Sequence, residues 1–359
     1  MKICIIGAGT SAIITALQLL KRNYNFDITI YHDSSTPHLH VGESTTQHVP
    51  NLVYDVLGIS IHNLFDLGIS SYKRGVRFFD WGKGSDFIHN INANEFAIHF
   101  DTIKFNEFIH NILKENNLVK YVDEKIISYP ENYDFIIDCS GWVDNEEDYD
   151  DPFFETVNSA ITFKKSLETQ NPFCTLHKAT EDGWMFGLPF IRENEIRCGY
   201  LYNSKFSNPS LDGKKISWKP KLSKKLIQND RLAYNGNKLF FLEPLQALSL
   251  FYYIASANLI CDFIEGKKSL ISVNMDYSTE MWTYQLSLAF HYHYGSVHDS
   301  PFWKDIKIRA NEIMKGQWMS GERIERNIIH DRMTGDQQSK IGIFTWKDIQ
   351  QINGGMNIT

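Results

Sequence analysis

A glycine-bearing turn at the very start of the chain, set between two apolar segments, restricts the fold more than any other feature. Residues 2–6 (Lys-Ile-Cys-Ile-Ile) form a short apolar run that stops at Gly7. Residues 12–21 then carry apolar side chains at helical spacing, and residues 28–31 (Ile-Thr-Ile-Tyr) return to β-branched and aromatic types. The order strand, turn, helix, strand predicts a βαβ unit with a parallel pair. The turn reads Gly7-Ala8-Gly9-Thr10-Ser11-Ala12. Gly7 permits a tight turn, Gly9 lets the backbone approach a pyrophosphate, and Ala12 is small enough for close helix–strand packing. The N–H groups and positive dipole end of the following helix favour phosphates. The second strand ends in His32-Asp33. Either side chain is in place to reach a ribose hydroxyl, and Asp33 fits a plain turn residue equally well.

Beyond the opening unit, residues 74–81 and 96–100 read as strands, 104–116 as an amphipathic helix, and 132–139 as a buried strand ended by Ser140 and Gly141. The acidic run 144–151 reads as a solvated loop joining two lobes. Alternating segments from 157 to 202 predict an antiparallel sheet, and 238–242 a strand returning to the first lobe. Helices are expected over 247–265, 278–292 and 303–315. A chain of 359 residues exceeds one minimal core, so one two-lobed unit is expected. The first lobe comprises 1–110, 132–145 and 235–265; the second, a substrate lobe, comprises 150–234 and 266–359.

Composition removes several function classes. The formal net charge of −7 argues against nucleic acid as a partner. The five cysteines are scattered, with no C-x-x-C spacing, which points to a reduced, cytoplasmic compartment. The apolar stretch Ile3 to Ile6 is too short for a signal peptide. The segment Leu245 to Ile264 contains Gln246, Asn258 and Asp262, so it reads as a buried helix and not a membrane span. His38 with His40, and His291 with His293, are spaced by two, but no Cys or carboxylate array joins them, so no metal site is expected. Aromatic residues make up 14% of the chain, enough to build a core and to line a pocket for a flat ligand.

A series of blocks then falls in a recognisable order. Val41-Gly42-Glu43-Ser44-Thr45-Thr46 follows the glycine loop, and Tyr72-Lys73 precedes Val76, Arg77, Phe78 and Trp81. Phe100-Asp101 and Phe105-Asn106-Glu107-Phe108 come next, then Asp138-Cys139-Ser140-Gly141. Trp184-Met185-Phe186-Gly187-Leu188-Pro189, Glu243-Pro244-Leu245-Gln246, His291-Tyr292 and Asp299-Ser300-Pro301-Phe302-Trp303 complete it. Together these resemble the flavin-dependent halogenases of the tryptophan-halogenase family, over roughly residues 3 to 350.

The resemblance implies a mixed α/β fold of the flavin-monooxygenase type: an FAD-binding Rossmann-like lobe, an antiparallel-sheet second lobe and C-terminal helices. It implies FAD as cofactor, supplied reduced by a separate flavin reductase, a halide ion, and a small aromatic substrate. In this scheme a flavin hydroperoxide reacts with halide, and the hypohalous acid reaches a lysine that positions it or forms a haloamine before an indole- or phenol-like ring is halogenated. Lys73 stands at the catalytic lysine and Gln246 at the catalytic acid–base position. Gly7, Gly9, Thr10, Ser11, Ala12, His32, Asp33, Val41, Gly42, Glu43, Ser44, Thr45, Asn237 and Leu250 fall at the cofactor. Leu248 and Ser249 fall at the halide, and Trp184, Phe186 and Pro189 along the substrate tunnel. A homo-oligomer is a further expectation.

The residues also permit plainer readings, and several depart from the family. As a strand, the Lys73 segment puts Lys73 and Gly75 on one face and Arg74 on the other. Trp184, Phe186, Leu188 and Phe190 alternate as one apolar sheet face would. Gln246 replaces a glutamate and cannot take a ring proton, which points to a substrate that activates its own ring. Leu248 and Ser249 replace threonine and glycine at the halide, where backbone N–H groups remain but close approach is harder, favouring bromide or iodide. Phe186 replaces the second tryptophan of a W-x-W-x-I-P signature thought to obstruct direct oxygenation. Two alternatives follow: a flavin-dependent monooxygenase that hydroxylates its substrate, or a flavin-binding protein without halogenase activity.

Overall fold

In the computed structural model, residues 1–22, 26–36, 42–84, 86–91, 95–141, 145–168, 171–315, 340–341 and 344–356 are described; Val41, His38 and His40 lie outside them. The chain forms two compact units. One comprises Met1–Tyr72, Phe96–Asp151 and Pro220–Thr279, the other Lys73–Glu95, Pro152–Lys219 and Glu280–Thr359.

The first unit holds a six-stranded sheet in the order Ile227–Asn229, Leu232–Tyr234, Phe135–Asp138, Lys2–Ile6, Asp27–His32, Val119–Asp123. Strand Lys2–Ile6 lies between parallel neighbours, with Ile5 opposite both Ile30 and Ile137. Ile3, Cys4 and Ile5 are fully buried, as expected of a parallel strand covered on both faces. Only the edge pair Ile227–Asn229 and Leu232–Tyr234 is antiparallel. The helix Thr10–Lys21 buries every residue from Thr10 to Leu19. It packs on the helices His48–Leu57 and Leu248–Ile264. Leu245–Ile264 is long and apolar enough to cross a membrane by composition, yet 56% of its most apolar window is buried. Polar ties hold it in place: Gln18 Nε2 donates to Asn258 Oδ1 at 2.6 Å, and Arg22 pairs with Asp262 at 3.0 Å. A second sheet in this unit has the order Gly42–Ser44, Ala97–Asp101, Ser70–Lys73.

The second unit is built on a seven-stranded sheet in the order Lys214–Ser217, Ser159–Ser166, Glu195–Tyr202, Gly183–Phe190, Cys174–Thr180, Gly75–Phe79, Phe87–Asn90. It is antiparallel except where Cys174–Thr180 runs parallel to Gly75–Phe79. Its core is aromatic: the Trp81 ring lies 5.3 Å from Trp303, 5.4 Å from Tyr292 and 6.4 Å from Trp184. Helices Pro301–Met314 and Trp346–Gly355 complete it.

Several expectations are corrected. The strand expected over 74–81 is Gly75–Phe79, whereas Ser70–Lys73 is a separate strand in a different sheet, so Lys73 and Gly75 do not lie on one strand face. The chain passes between them at Arg74, whose N–H donates to the Phe173 carbonyl at 2.7 Å. Residues 73–95 therefore belong with the antiparallel sheet. Residues 220–234 and 111–131 belong with the parallel one, because Ala233 aligns with Ile137 and Tyr121 with Ile30. The helix expected from 278 begins at Leu270, with Ile271 and Met275 exposed on its first turns, which blurs the apolar spacing. In the acidic run, Glu146–Asp148 is an exposed 3₁₀ turn.

Candidate cofactor loop and buried lysine

Gly7 adopts φ +104°, and a Cβ there would stand 2.8 Å from the Cys139 carbonyl oxygen, so only glycine fits. The Gly7 N–H donates to the Tyr31 carbonyl and the Cys139 N–H to the Ile6 carbonyl, both at 2.8 Å. The turn is thus fastened to both flanking strands. Gly9 is the N-cap of the Thr10–Lys21 helix, without a side-chain cap. Nothing lies within 4 Å of where its Cβ would be. A helix N-terminus with open space over its cap suits an anionic group. Ala12 is fully buried against the sheet.

Of the surrounding residues, motif reasoning missed His110 and Gly236. His110 Nε2 lies 2.8 Å from the Ala8 carbonyl oxygen and its Nδ1 2.7 Å from the Tyr121 hydroxyl. The Thr10 hydroxyl donates to Asn106 Oδ1 at 3.3 Å. Gly236 adopts φ +67°, and its Cβ would fall 2.3 Å from Ser11 Oγ, so this glycine brings the 235–238 turn onto the helix start. That turn carries the exposed Asn237, whose Oδ1 accepts from the Tyr253 hydroxyl at 2.6 Å.

Glu43 also reaches this end of the helix. It sits opposite Phe100 in the small sheet, and its carboxylate accepts from the Thr102 hydroxyl at 3.5 Å. Burial pushes its carboxyl up to about 7, opposed by hydrogen bonds from Thr102 and Thr10. Gly42 lies opposite Asp101 and Ser44 opposite His99. Thr45 is fully buried and accepts from the Ile98 N–H at 3.0 Å. Asp33 directs its carboxylate at its own turn, accepting from Ser35 N and Oγ and from Thr36 Oγ1, and these bonds hold it below the usual carboxylate range. His32 is half-buried, with Nδ1 3.7 Å from Asp123.

Behind the glycine turn lies a buried ion pair. Lys238 Nζ is 3.3 Å from Asp138 Oδ2, with both side chains at most 5% exposed. The same carboxylate accepts from the Tyr129 hydroxyl at 2.8 Å and from Ser140 N at 2.9 Å. The motif Asp138-Cys139-Ser140-Gly141 marked one partner; Lys238, 100 residues away, carries no local signal.

The segment expected at the halide and acid–base positions is conformationally unusual. Gln246 (φ 59°, ψ 10°) and Ala247 (φ 58°, ψ 35°) are both left-handed without being glycine. Such residues cost on the order of 1 kcal/mol or more each and persist where the surroundings impose them. They lead into the Leu248–Ile264 helix, whose cap, Ala247, offers no side-chain bond. Gln246, Leu248 and Leu250 are buried and Ser249 half-buried.

In the second unit, Lys73 is 2% exposed. Burial lowers its ammonium from the ordinary 10.5 to about 7. Cys174 lies opposite Gly75 in the parallel pair. Burial pushes its thiol up, opposed by the positive charges of Lys73 and Arg77. Trp184, Leu188 and Phe190 are buried, as the apolar-face reading requires, while Phe186 is half-buried. A Cβ on Gly199 would meet the Phe186 ring at 2.3 Å, so that strand glycine makes room for it. Pro189 is buried and opposite Ile196. The indole N–H groups of Trp81 and Trp184, both fully buried, find no acceptor among the described residues. His291 and His293 place Nδ1 against the Ser287 and Phe290 carbonyls at 2.7 and 2.6 Å. Among the described residues no three His, Cys, Asp or Glu side chains converge as metal ligands.

Residues 2–117 match the tryptophan halogenase family profile. No match is found among curated protein sequences. Solved structures match over nearly the whole chain. A tryptophan halogenase from Shewanella frigidimarina NCIMB 400 is 16% identical with a TM-score of 0.78, covering 99% of this chain and 89% of that one. Tar14, a tryptophan C-6 flavin-dependent chlorinase from taromycin biosynthesis, is 16% identical with a TM-score of 0.80, covering 99% and 90%. BrvH, a flavin-dependent halogenase from Brevundimonas sp. BAL3, is 18% identical with a TM-score of 0.79, covering 99% and 89%. At such identity these likenesses establish the fold, a mixed α/β architecture with a parallel sheet, as expected.

Proposed function

We propose that this chain, whose residues 2–117 match the tryptophan halogenase family, is an FAD-dependent enzyme that halogenates an electron-rich aromatic ring of the indole or phenol type. When bound, reduced FAD supplies the electrons with which oxygen and a halide become hypohalous acid. Gly7 and Gly9 bring the backbone to the pyrophosphate, and the N–H groups of Thr10 and Ser11 at the uncapped helix start donate to it; the open space over Gly9 fits this role. The surrounding Ala12, His32, Asp33, Gly42, Glu43, Ser44, Thr45, Asn237 and Leu250, with Val41, complete the cofactor's environment. The amides at Leu248 and Ser249 hold the halide, and Trp184, Phe186 and Pro189 border the oxidant's route.

The observation that carries the proposal is the buried Lys73 with its ammonium lowered to about 7. At neutral pH both forms are then present: an ammonium that donates to hypohalous acid and an amine nucleophilic enough to take halogen. Gln246 orients the substrate without removing a proton, so ring activation comes from the substrate's own hydroxyl or N–H. A separate reductase supplies reduced FAD, and we take the enzyme to be a homo-oligomer. Its five cysteines, all free and buried, support a reducing, cytoplasmic setting.

Purified protein with FAD, a reductase and a panel of indoles and phenols in chloride, bromide or iodide, read by mass spectrometry, tests this. Halogenated product that disappears in Lys73→Ala, beyond a free hypohalous acid control, is the expected result. Oxygen added without halide would instead mark the hydroxylase that the smaller Phe186 barrier favours.

A further inference from the structure

In the first unit, the helix Thr102–Lys114 turns one row of side chains towards the glycine loop. Thr102, Asn106 and His110, spaced by four, fall along one side of it. Thr102 donates to Glu43 at 3.5 Å, Asn106 accepts from the Thr10 hydroxyl at 3.3 Å, and His110 meets the Ala8 carbonyl at 2.8 Å. The first two contacts are between side chains, whereas His110 grips the loop's backbone itself. A carbonyl only accepts, so His110 Nε2 carries the proton. In the neutral ring Nδ1 then accepts, and the Tyr121 hydroxyl, 2.7 Å away, supplies the donor. Burial raises the Tyr121 phenol, so it keeps that proton. Tyr121 is fixed in turn by its strand, Val119–Asp123, where it lies opposite Ile30 in the six-stranded sheet.

Ala8 sits between Gly7 and Gly9, and this gives the grip its consequence. The Ala8 carbonyl and the Gly9 N–H belong to one planar trans peptide and point in opposite directions. Holding the carbonyl on His110 therefore turns the Gly9 N–H away from the histidine. That N–H has no hydrogen-bond partner among the described residues. Gly9 has no Cβ to oppose a positive φ, so this peptide plane turns over at little cost unless something outside the loop holds it. The missing side chain that lets the backbone approach an anion also leaves the backbone donor without a fixed direction.

We infer that His110 is a positioning residue for the cofactor's pyrophosphate: it acts through the Ala8 carbonyl to hold the Gly9 N–H ready to donate, and Tyr121 fixes its tautomer. The inference rests on the reading of this loop as the FAD site. A donor oriented before binding loses less entropy when the anion arrives, so loss of the grip shows in cofactor affinity.

Flavin-fluorescence titration of the full chain with FAD gives the affinity, and urea unfolding without FAD gives the stability. His110→Leu is expected to weaken FAD roughly ten-fold or more. His110→Gln, whose amide sets a donor near the place of Nε2, should stay within about three-fold of the parent. Tyr121→Phe keeps the imidazole but removes its partner, and should fall between the two. A merely structural histidine would make affinity follow stability across the three variants; here Leu and Gln should differ in FAD binding at similar stability. Equal FAD binding by His110→Leu and His110→Gln overturns the inference. Should His110→Leu fail to fold, Tyr121→Phe decides, and parent-like affinity overturns. A parent that binds no FAD sinks the loop reading and this inference together, whereas a parent that binds FAD no more tightly than His110→Leu sinks this inference alone.

Discussion

Burying Lys73 makes stability depend on pH in a direction opposite to that of a salt-bridged lysine. Its ammonium falls from 10.5 to about 7 in the folded chain, chiefly through desolvation. That drop of about 3.5 units, at roughly 1.4 kcal/mol per unit, corresponds to a cost of about 5 kcal/mol for holding the charged form, an upper bound because local water relieves part of it. The cost is full at and below pH 7, where both native and unfolded lysine are protonated. Between pH 7 and 10.5 the unfolded chain binds the proton that the native chain has released, so native stability rises with pH. Above 10.5 both are neutral and the cost is gone. Lys73→Met keeps an unbranched side chain of similar length and removes the charge. The variant should therefore be more stable than the parent by several kcal/mol at pH 7, with the gap closing towards pH 10. Urea unfolding of the two proteins without FAD, followed by tryptophan fluorescence at each pH unit, measures it. A gap that stays constant across this window, or a parent more stable at pH 7, would refute the reasoning, since groups other than Lys73 cancel in the difference.

Three other outcomes follow from the geometry. Gly7→Ala puts a Cβ 2.8 Å from the Cys139 carbonyl at φ +104° and should cost at least about 1–3 kcal/mol while abolishing FAD binding; thermal unfolding and flavin-fluorescence titration check it, and unaltered FAD affinity would contradict the loop assignment. Ala247→Gly relieves a left-handed alanine and should raise stability by about 1 kcal/mol in urea unfolding, whereas a loss would show that the Cβ packing outweighs the backbone strain. Lys238→Met leaves Asp138 buried without its cation and should cost about 3–5 kcal/mol, most of which Asp138→Asn restores in the double variant; additive losses in that double-mutant cycle would mean that the pair is not coupled.

The blocks that were legible early share a local cause. Gly7 is needed because one backbone position must turn with positive φ, and the strands at 2–6 and 27–32 and the helix between them follow from side-chain periodicity within each segment. The 157–202 sheet was legible for the same reason. The break at Arg74 was not: the run of strand-forming residues continues through it, and only the two partners, Ala97–Asp101 on one side and Cys174–Thr180 on the other, divide it.

The site divides in the same way. From sequence alone came the βαβ opening, the loop with space for a phosphate, and a lysine in an aromatic block, all properties of short stretches of chain. Tertiary structure decided whether that lysine is a surface ammonium or a buried one whose charge desolvation disfavours. It also paired Lys238 with Asp138, set Gly236 against Ser11, and held Gln246 and Ala247 in left-handed conformations. Each of these depends on which atoms exclude water or take up space at a point reached by segments far apart in the chain, and no local pattern of residues encodes that proximity.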